Sequence, residues 1–172
     1  MSDFAHHLSL AQIRDGERLA LTADESERSG IAERLQLPSL GRFEAHVTLT
    51  RDGERIGATG RIKAQLEQSC VATGEAVRAA VDEPFEVLFL PEPNTGADEE
   101  IELSESDCDV VFHDGAAIDL GGALADTLAL ALDPYPRCAD ADTALREAGV
   151  LSEEQAGPFA ALAKLRGAAS PQ

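Results

Sequence analysis

Residues 43–66 read FEAHVTLTRDGERIGATGRIKAQL. Before the Asp52-Gly53 pair, Phe43, Ala45, Val47 and Leu49 alternate with Glu44, His46, Thr48 and Thr50, the period-two pattern of a half-buried strand. Asp-Gly is a strong hairpin signal because it accepts the positive φ of a type I′ turn. With Asp52 and Gly53 as the two loop residues, the expected register sets Arg51 opposite Glu54, Leu49 opposite Ile56, Val47 opposite Ala58 and Phe43 opposite Ile62. All the apolar residues then share one face, which predicts a core with Phe43, Val47, Leu49, Ile56, Ile62 and Leu66 as its floor.

The chain has 172 residues, the length of one domain, and a domain of this size buries roughly 70% of its unfolded surface. Trp is absent and Phe and Tyr total seven, so the core is aliphatic. Fourteen Lys and Arg against 32 Asp and Glu give a net charge of −18. Such a surface repels phosphate polyanions and disfavours tight nucleic-acid binding except through a locally basic face, whereas a basic protein partner suits it directly. No secretory pattern opens the sequence, and no apolar run approaches the ~18 residues of a membrane span. The expectation is a reduced, cytoplasmic protein without membrane contact.

Working outward from the hairpin, Glu17 to Thr22 predicts a short strand, and Asp24 with Glu27 a capping box opening a helix through about Gln36, closed by Pro38. Downstream, Thr73-Gly74 is a turn. Val77, Ala79, Val81, Phe85, Val87 and Phe89 then hold one strand parity, with a bulge or bend expected at Glu83-Pro84. Pro91 to Asp114 carries nine acids and no Lys or Arg, an exposed acidic loop leading into a strand over Cys108 to Phe112. Asp119 is an N-cap for a helix through Leu132 with Leu120, Leu124 and Leu128 on one face, stopped by Pro134 and Pro136. Ser152 and Gln155 introduce a last helix with Phe159, Leu162 and Leu165. The predicted fold is α+β: an antiparallel meander or partly open barrel of about five strands, with one inserted helix and two C-terminal helices. The expected organisation is an N-terminal arm over 1–16 with His6 and His7 in loose chain, one domain over 17–166, and a disordered tail over 167–172.

No residue cluster spells out a reaction. Cys70, Cys108 and Cys138 are 38 and 30 residues apart, unlike the close pairs of structural zinc sites, and at least two of them read as small buried hydrophobes. There is no G-x-S-x-G elbow, and Gly121-Gly122 lacks the lysine of a phosphate loop. His46 reads as solvated, and His113-Asp114 as turn formers. No enzymatic activity, cofactor, metal or small-molecule substrate is expected. Two charged features remain. Arg55, Arg61 and Lys63 share the polar parity of the second hairpin strand with Arg51 at the turn, a candidate RNA-contact face. Asp98, Glu99, Glu100 and Glu102 form a candidate loop for a basic partner.

Several pieces occur in an order that resembles the YceD-like family, associated with accumulation of large-subunit ribosomal RNA, and in particular its alphaproteobacterial branch. They are Glu33-Arg34-Leu35-Gln36-Leu37-Pro38, Gly60-Arg61-Ile62-Lys63-Ala64, Gln68-Ser69-Cys70-Val71-Ala72-Thr73, Glu83-Pro84-Phe85, and Ile118-Asp119-Leu120 opening a Leu-rich helix that ends at Asp133. Cys70, Thr73, Asp119 and Asp133 are the positions that carry the motifs. Many members resemble a pattern with a second cysteine three residues after the one aligning with Cys70, and more after the Leu-rich helix. Thr73 stands at the first place and only Cys138 near the second, so a zinc role does not carry over. The resemblance implies a YceD-like domain over 17–166 and a non-enzymatic factor in ribosomal RNA accumulation, processing or large-subunit assembly. Its partner would be ribosomal RNA or a large-subunit ribosomal protein. The alternative is an acidic adaptor or holdase that sequesters a basic protein such as a ribosomal protein.

Overall fold

The computed structural model describes residues 4, 6–92 and 109–150. In chain order the elements are β1 (His7–Ser9), β2 (Arg18–Thr22), α1 (Glu25–Arg34), β3 (Ser39–Asp52), β4 (Arg55–Ser69), β5 (Ala76–Pro91), β6 (Val110–His113), β7 (Ala117–Asp119), α2 (Leu120–Ala131) and α3 (Ala141–Glu147). Five strands form one sheet in the order β2-β3-β4-β5-β6, and β1 and β7 pair in a separate two-stranded ribbon. The architecture is α+β, mostly antiparallel and not closed; β6 runs parallel to β5.

The long hairpin forms where expected, but two residues out of the expected register. Asp52 pairs with Arg55, Leu49 with Ala58 and Phe43 with Ala64, so the loop is Gly53-Glu54. Gly53 has φ +63° and Glu54 is not among the positive-φ residues, the order of a type II′ turn with glycine first. A type I′ turn over Asp52-Gly53 would have forced Asp52 into the left-handed region. The slip gives that conformation to glycine alone. Because the slip is by two residues, every side chain keeps its face.

At Glu83-Pro84 the expected bulge is absent: the β4–β5 register runs without a shift from Ile56↔Phe89 to Ser69↔Ala76. Pro84 lies where β5 is paired only with β4 among the described residues, and an edge tolerates the missing N–H. A bulge does occur at Gly41, between the Leu40 and Arg42 pairings.

Helices α1 and α2 cover one face of the sheet. The Asp24 capping box opens α1, with Asp24 Oδ1 accepting from Glu27 N at 2.8 Å and Glu27 Oε2 from Asp24 N at 2.8 Å. This helix packs against β3, and α2 packs against β4 and β5. Phe43, Val47, Leu49, Ile56, Ile62, Leu66, Phe85, Val87, Leu124 and Leu128 are all buried in one cluster.

The N-terminus is not loose at His6 and His7. Strand β1 pairs with β7, Phe4, Leu10 and Ile13 are buried, and the Phe4 ring meets Phe43 edge-on at 5.3 Å. Gly121 makes this possible: a Cβ there would stand 1.6 Å from the Phe4 carbonyl oxygen, so only glycine lets α2 begin against this segment. The sequence reading did not foresee α3, and its last helix, with Phe159, Leu162 and Leu165, lies outside the described residues.

Candidate nucleic-acid interface

Strand parity that buries one face of the sheet sends the alternate residues to the other. Arg18 and Ala20 on β2, Arg42, His46 and Thr48 on β3, Arg55, Arg61 and Lys63 on β4, and Arg78 on β5 occupy this outer face. Six of the chain's fourteen Lys and Arg are there, beside five carboxylates: Glu44, Asp52, Glu67, Asp82 and Glu86. The remainder of the chain carries eight cations against twenty-seven carboxylates. The outer face is thus close to neutral with a small positive excess, on a strongly acidic protein.

Its ion pairs leave several cations uncompensated. Arg61 and Lys63 share the single carboxylate of Asp82, Lys63 at 3.6 Å. Hydrogen bonding from Arg61, reinforced by the charges of Arg61 and Lys63, holds the Asp82 carboxyl below the usual carboxylate range. Arg42 pairs with Glu44 at 2.7 Å and Arg78 with Glu67 at 3.8 Å. Arg18 and Arg55 are exposed and make no ion pair among the described residues.

Between β2, β3 and β4 the small side chains of Ala20 and Thr48 leave a shallow hollow of about 380 Å³, rimmed by Arg18, His46 and Arg61. These three groups sit on adjacent strands: Ala20 is opposite His46, which is opposite Arg61, and Arg18 is opposite Thr48. An open dish with two guanidiniums and an imidazole on its rim suits a phosphate, as guanidinium presents its donors in a planar fork. Arg18 and His46 were missed as site residues. The alternation of Arg18, Ala20 and Thr22 was visible, but only the pairing of β2 with β3 brings Arg18 near Arg61.

Arg51 does not belong to this face. It lies on the inner parity of β3, and its guanidinium donates to the carbonyls of Leu10, Ile13 at 3.1 Å and Gly53 at 3.1 Å, tying the N-terminal segment to the hairpin end. Its expected contribution to an RNA-contact patch is therefore corrected to a structural one. The acidic residues Asp98, Glu99, Glu100 and Glu102 lie outside the described residues.

His113 is buried, with Gly115 N donating to Nδ1 at 3.1 Å, so Nε2 carries the proton and donates to the Glu54 carbonyl at 2.9 Å. Asp114 accepts from Ala116 N at 2.8 Å and Ala117 N at 3.4 Å, and these bonds lower its pKa. Both groups thus hold the strand end and turn together.

Asp119 caps α2, accepting from Gly122 N at 2.9 Å. Asp133 accepts from Tyr135 N at 2.9 Å, and its carbonyl from the buried Gln68 Nε2 at 2.8 Å. Cys70 and Thr73, in the turn between β4 and β5, both meet Cys138. The Cys138 N–H donates to Cys70 Sγ at 3.3 Å, and Thr73 Oγ1 lies 3.3 Å from Cys138 Sγ. Among the described residues no three His, Cys, Asp or Glu side chains are grouped to hold a metal ion, and no helix is long and apolar enough to cross a membrane.

A family model described as "Large ribosomal RNA subunit accumulation protein YceD" matches residues 58–166, more than half of the chain. That span includes Arg61, Lys63, Cys70, Asp119 and Asp133. No curated protein and no solved structure matches.

Proposed function

Since the chain belongs to the YceD family, with a role in large ribosomal RNA subunit accumulation, we propose that it acts in the cytoplasm as a non-enzymatic binding factor whose outer sheet face touches ribosomal RNA directly. The observation that carries this reading is the gathering of six cations on one face of an acidic protein. Arg18, His46 and Arg61 receive a phosphate at the hollow, and Arg55 and Lys63 extend the contact along β4. The surrounding acidic surface opposes the wider approach of RNA, so contact is confined to this face and weakens steeply with salt.

The test is titration of purified large-subunit ribosomal RNA with the parent protein and with a variant carrying Arg18→Gln, Arg55→Gln, Arg61→Gln and Lys63→Gln. Loss of four phosphate contacts lowers affinity at least tenfold at low salt and reduces the slope of log affinity against log salt by about 3. Equal affinity and slope for the two proteins would refute the face. The adaptor alternative is supported by the twenty-seven carboxylates elsewhere in the chain. It predicts that the parent retains a basic ribosomal protein in the absence of RNA, and that neutralising Asp98, Glu99, Glu100 and Glu102 releases it.

A further inference from the structure

Away from the sheet face, two chain segments far apart in sequence are fastened together. The turn after β4 donates its Val71 N–H to the Pro136 carbonyl at 2.9 Å, and Gln68 Nε2 bonds the Asp133 carbonyl at 2.8 Å. Within this joint Cys70 Sγ accepts the Cys138 N–H at 3.3 Å. The two thiols have opposite chemistry. Cys70 is lowered from 9.0 to about 6 by the Cys138 backbone N–H first, then by the Thr73 hydroxyl, the Ala72 backbone and the Cys138 thiol, against the effect of burial. Cys138 is raised. Thr73 favours its thiolate most strongly, yet the thiol's donation to Cys70, burial and the neighbouring Glu75 carboxylate outweigh it. Hydrogen bonding at the joint thus favours the thiolate on Cys70 over Cys138 beside it, the order of an attacking and a resolving cysteine.

We propose that Cys70 and Cys138 form a peroxide-reactive site, in which hydrogen peroxide oxidises Cys70 and Cys138 closes an intramolecular disulfide across the joint. The Cys70 thiolate, its proton already given to solvent, attacks one peroxide oxygen; the O–O bond breaks, giving Cys70 sulfenic acid and hydroxide, and the hydroxide takes up a proton from solvent as water. The Cys138 sulfur then attacks the Cys70 sulfur, the S–O bond breaks, and hydroxide leaves with the Cys138 proton as a second water. Two electrons pass from the thiol pair to the peroxide. Cys70 is only 3% exposed, which disfavours bulky disulfides and restricts its oxidant to a molecule of a few atoms, while Cys138 is partly exposed.

The experiment treats the reduced native chain with hydrogen peroxide, blocks remaining thiols and maps tryptic peptides. Residues 64–78 and 138–146 are expected as one cross-linked species with the loss of two hydrogens, restored by reductant. The thermal midpoint of the oxidised protein is expected to rise by about 5 °C, because the bridge restricts a long loop in the unfolded chain. In Cys138→Ser, dimedone traps sulfenic acid on Cys70, and in Cys108→Ser the same two peptides still join. Peptides joined through Cys108 instead, both thiols surviving peroxide in the folded native chain, or dimedone labelling at Cys138 in Cys70→Ser as fast as at Cys70 in Cys138→Ser would each overturn the proposal.

Discussion

The two faces of the central sheet are built from the same strands, yet they answer to different physics. On the inner face Phe43, Leu49, Ile56 and Ile62 are fully buried, and each position is constrained by volume and by the cost of polarity. On the outer face Arg18, His46, Arg61 and Lys63 stand in water, where a charge contributes little to stability and acts mainly on whatever approaches. Adjacent residues in one strand therefore serve separate ends: Val47 holds the fold, and His46 next to it is available for recognition. Arg51 shows that side-chain type alone does not assign a residue to a face, since it is a cation on the inner parity with three carbonyls as partners.

This contrast is open to direct attack. Val47→Asp places an unpaired carboxylate in the core layer and is expected to cost about 3 kcal/mol or more, against less than about 0.5 kcal/mol for Thr48→Asp next to it. Urea denaturation of the two variants compares them, and equal midpoints would dissolve the distinction between faces. Arg51→Ala removes charged hydrogen bonds to three carbonyls and is expected to cost about 2 kcal/mol, while Arg61→Gln stays within about 0.5 kcal/mol. If Arg51→Ala were as mild as Arg61→Gln, the bonds from Arg51 to the three carbonyls would not be what fastens the N-terminal segment to the hairpin end.

Asp82→Asn sharpens the comparison from the other side. It leaves Arg61 and Lys63 without their shared carboxylate, so RNA affinity at low salt should rise about threefold with stability nearly unchanged. A fall in affinity would mean that Asp82 orients Arg61 for its ligand. The smallest effect is in titration. The Asp82 carboxyl titrates below the usual range because Arg61 bonds it. A lowered folded-state pKa means that its contribution is present above the unfolded value and lost as pH falls through the folded one. In Arg61→Gln the carbon-detected NMR midpoint of Asp82 should move upward toward the ordinary value.

Inner-face residues were legible because period-two alternation over Phe43 to Leu49 and Ile56 to Leu66 admits only one arrangement with its apolar residues together. The Asp24 and Asp119 caps were legible for a similar reason, each being a short-range bond between a side chain and a backbone N–H within three residues. The turn register was misassigned because Gly53 can stand second in a type I′ loop over Asp52-Gly53 or first in a type II′ loop over Gly53-Glu54, and only the first asks a non-glycine residue to take a positive φ. The hollow between Arg18, His46 and Arg61 was not legible, since nothing local says that the strand ending at Thr22 folds back along β3.

By itself the sequence determined the α+β class, the meander from β3 to β5, the strand and helix faces that build the centre of the core and the acidic character of the whole, all of which follow from periodicity, capping chemistry and composition. Only the tertiary structure decided the parallel placement of β6, the docking of Phe4 on Gly121, the joining of Arg18 and Arg78 to the cations of β4 and the meeting of Cys70 with Cys138. The physical reason is range. Alternation and caps act between residues a few positions apart, whereas these four features depend on which distant surfaces come together, and that is set by the packing of the whole chain.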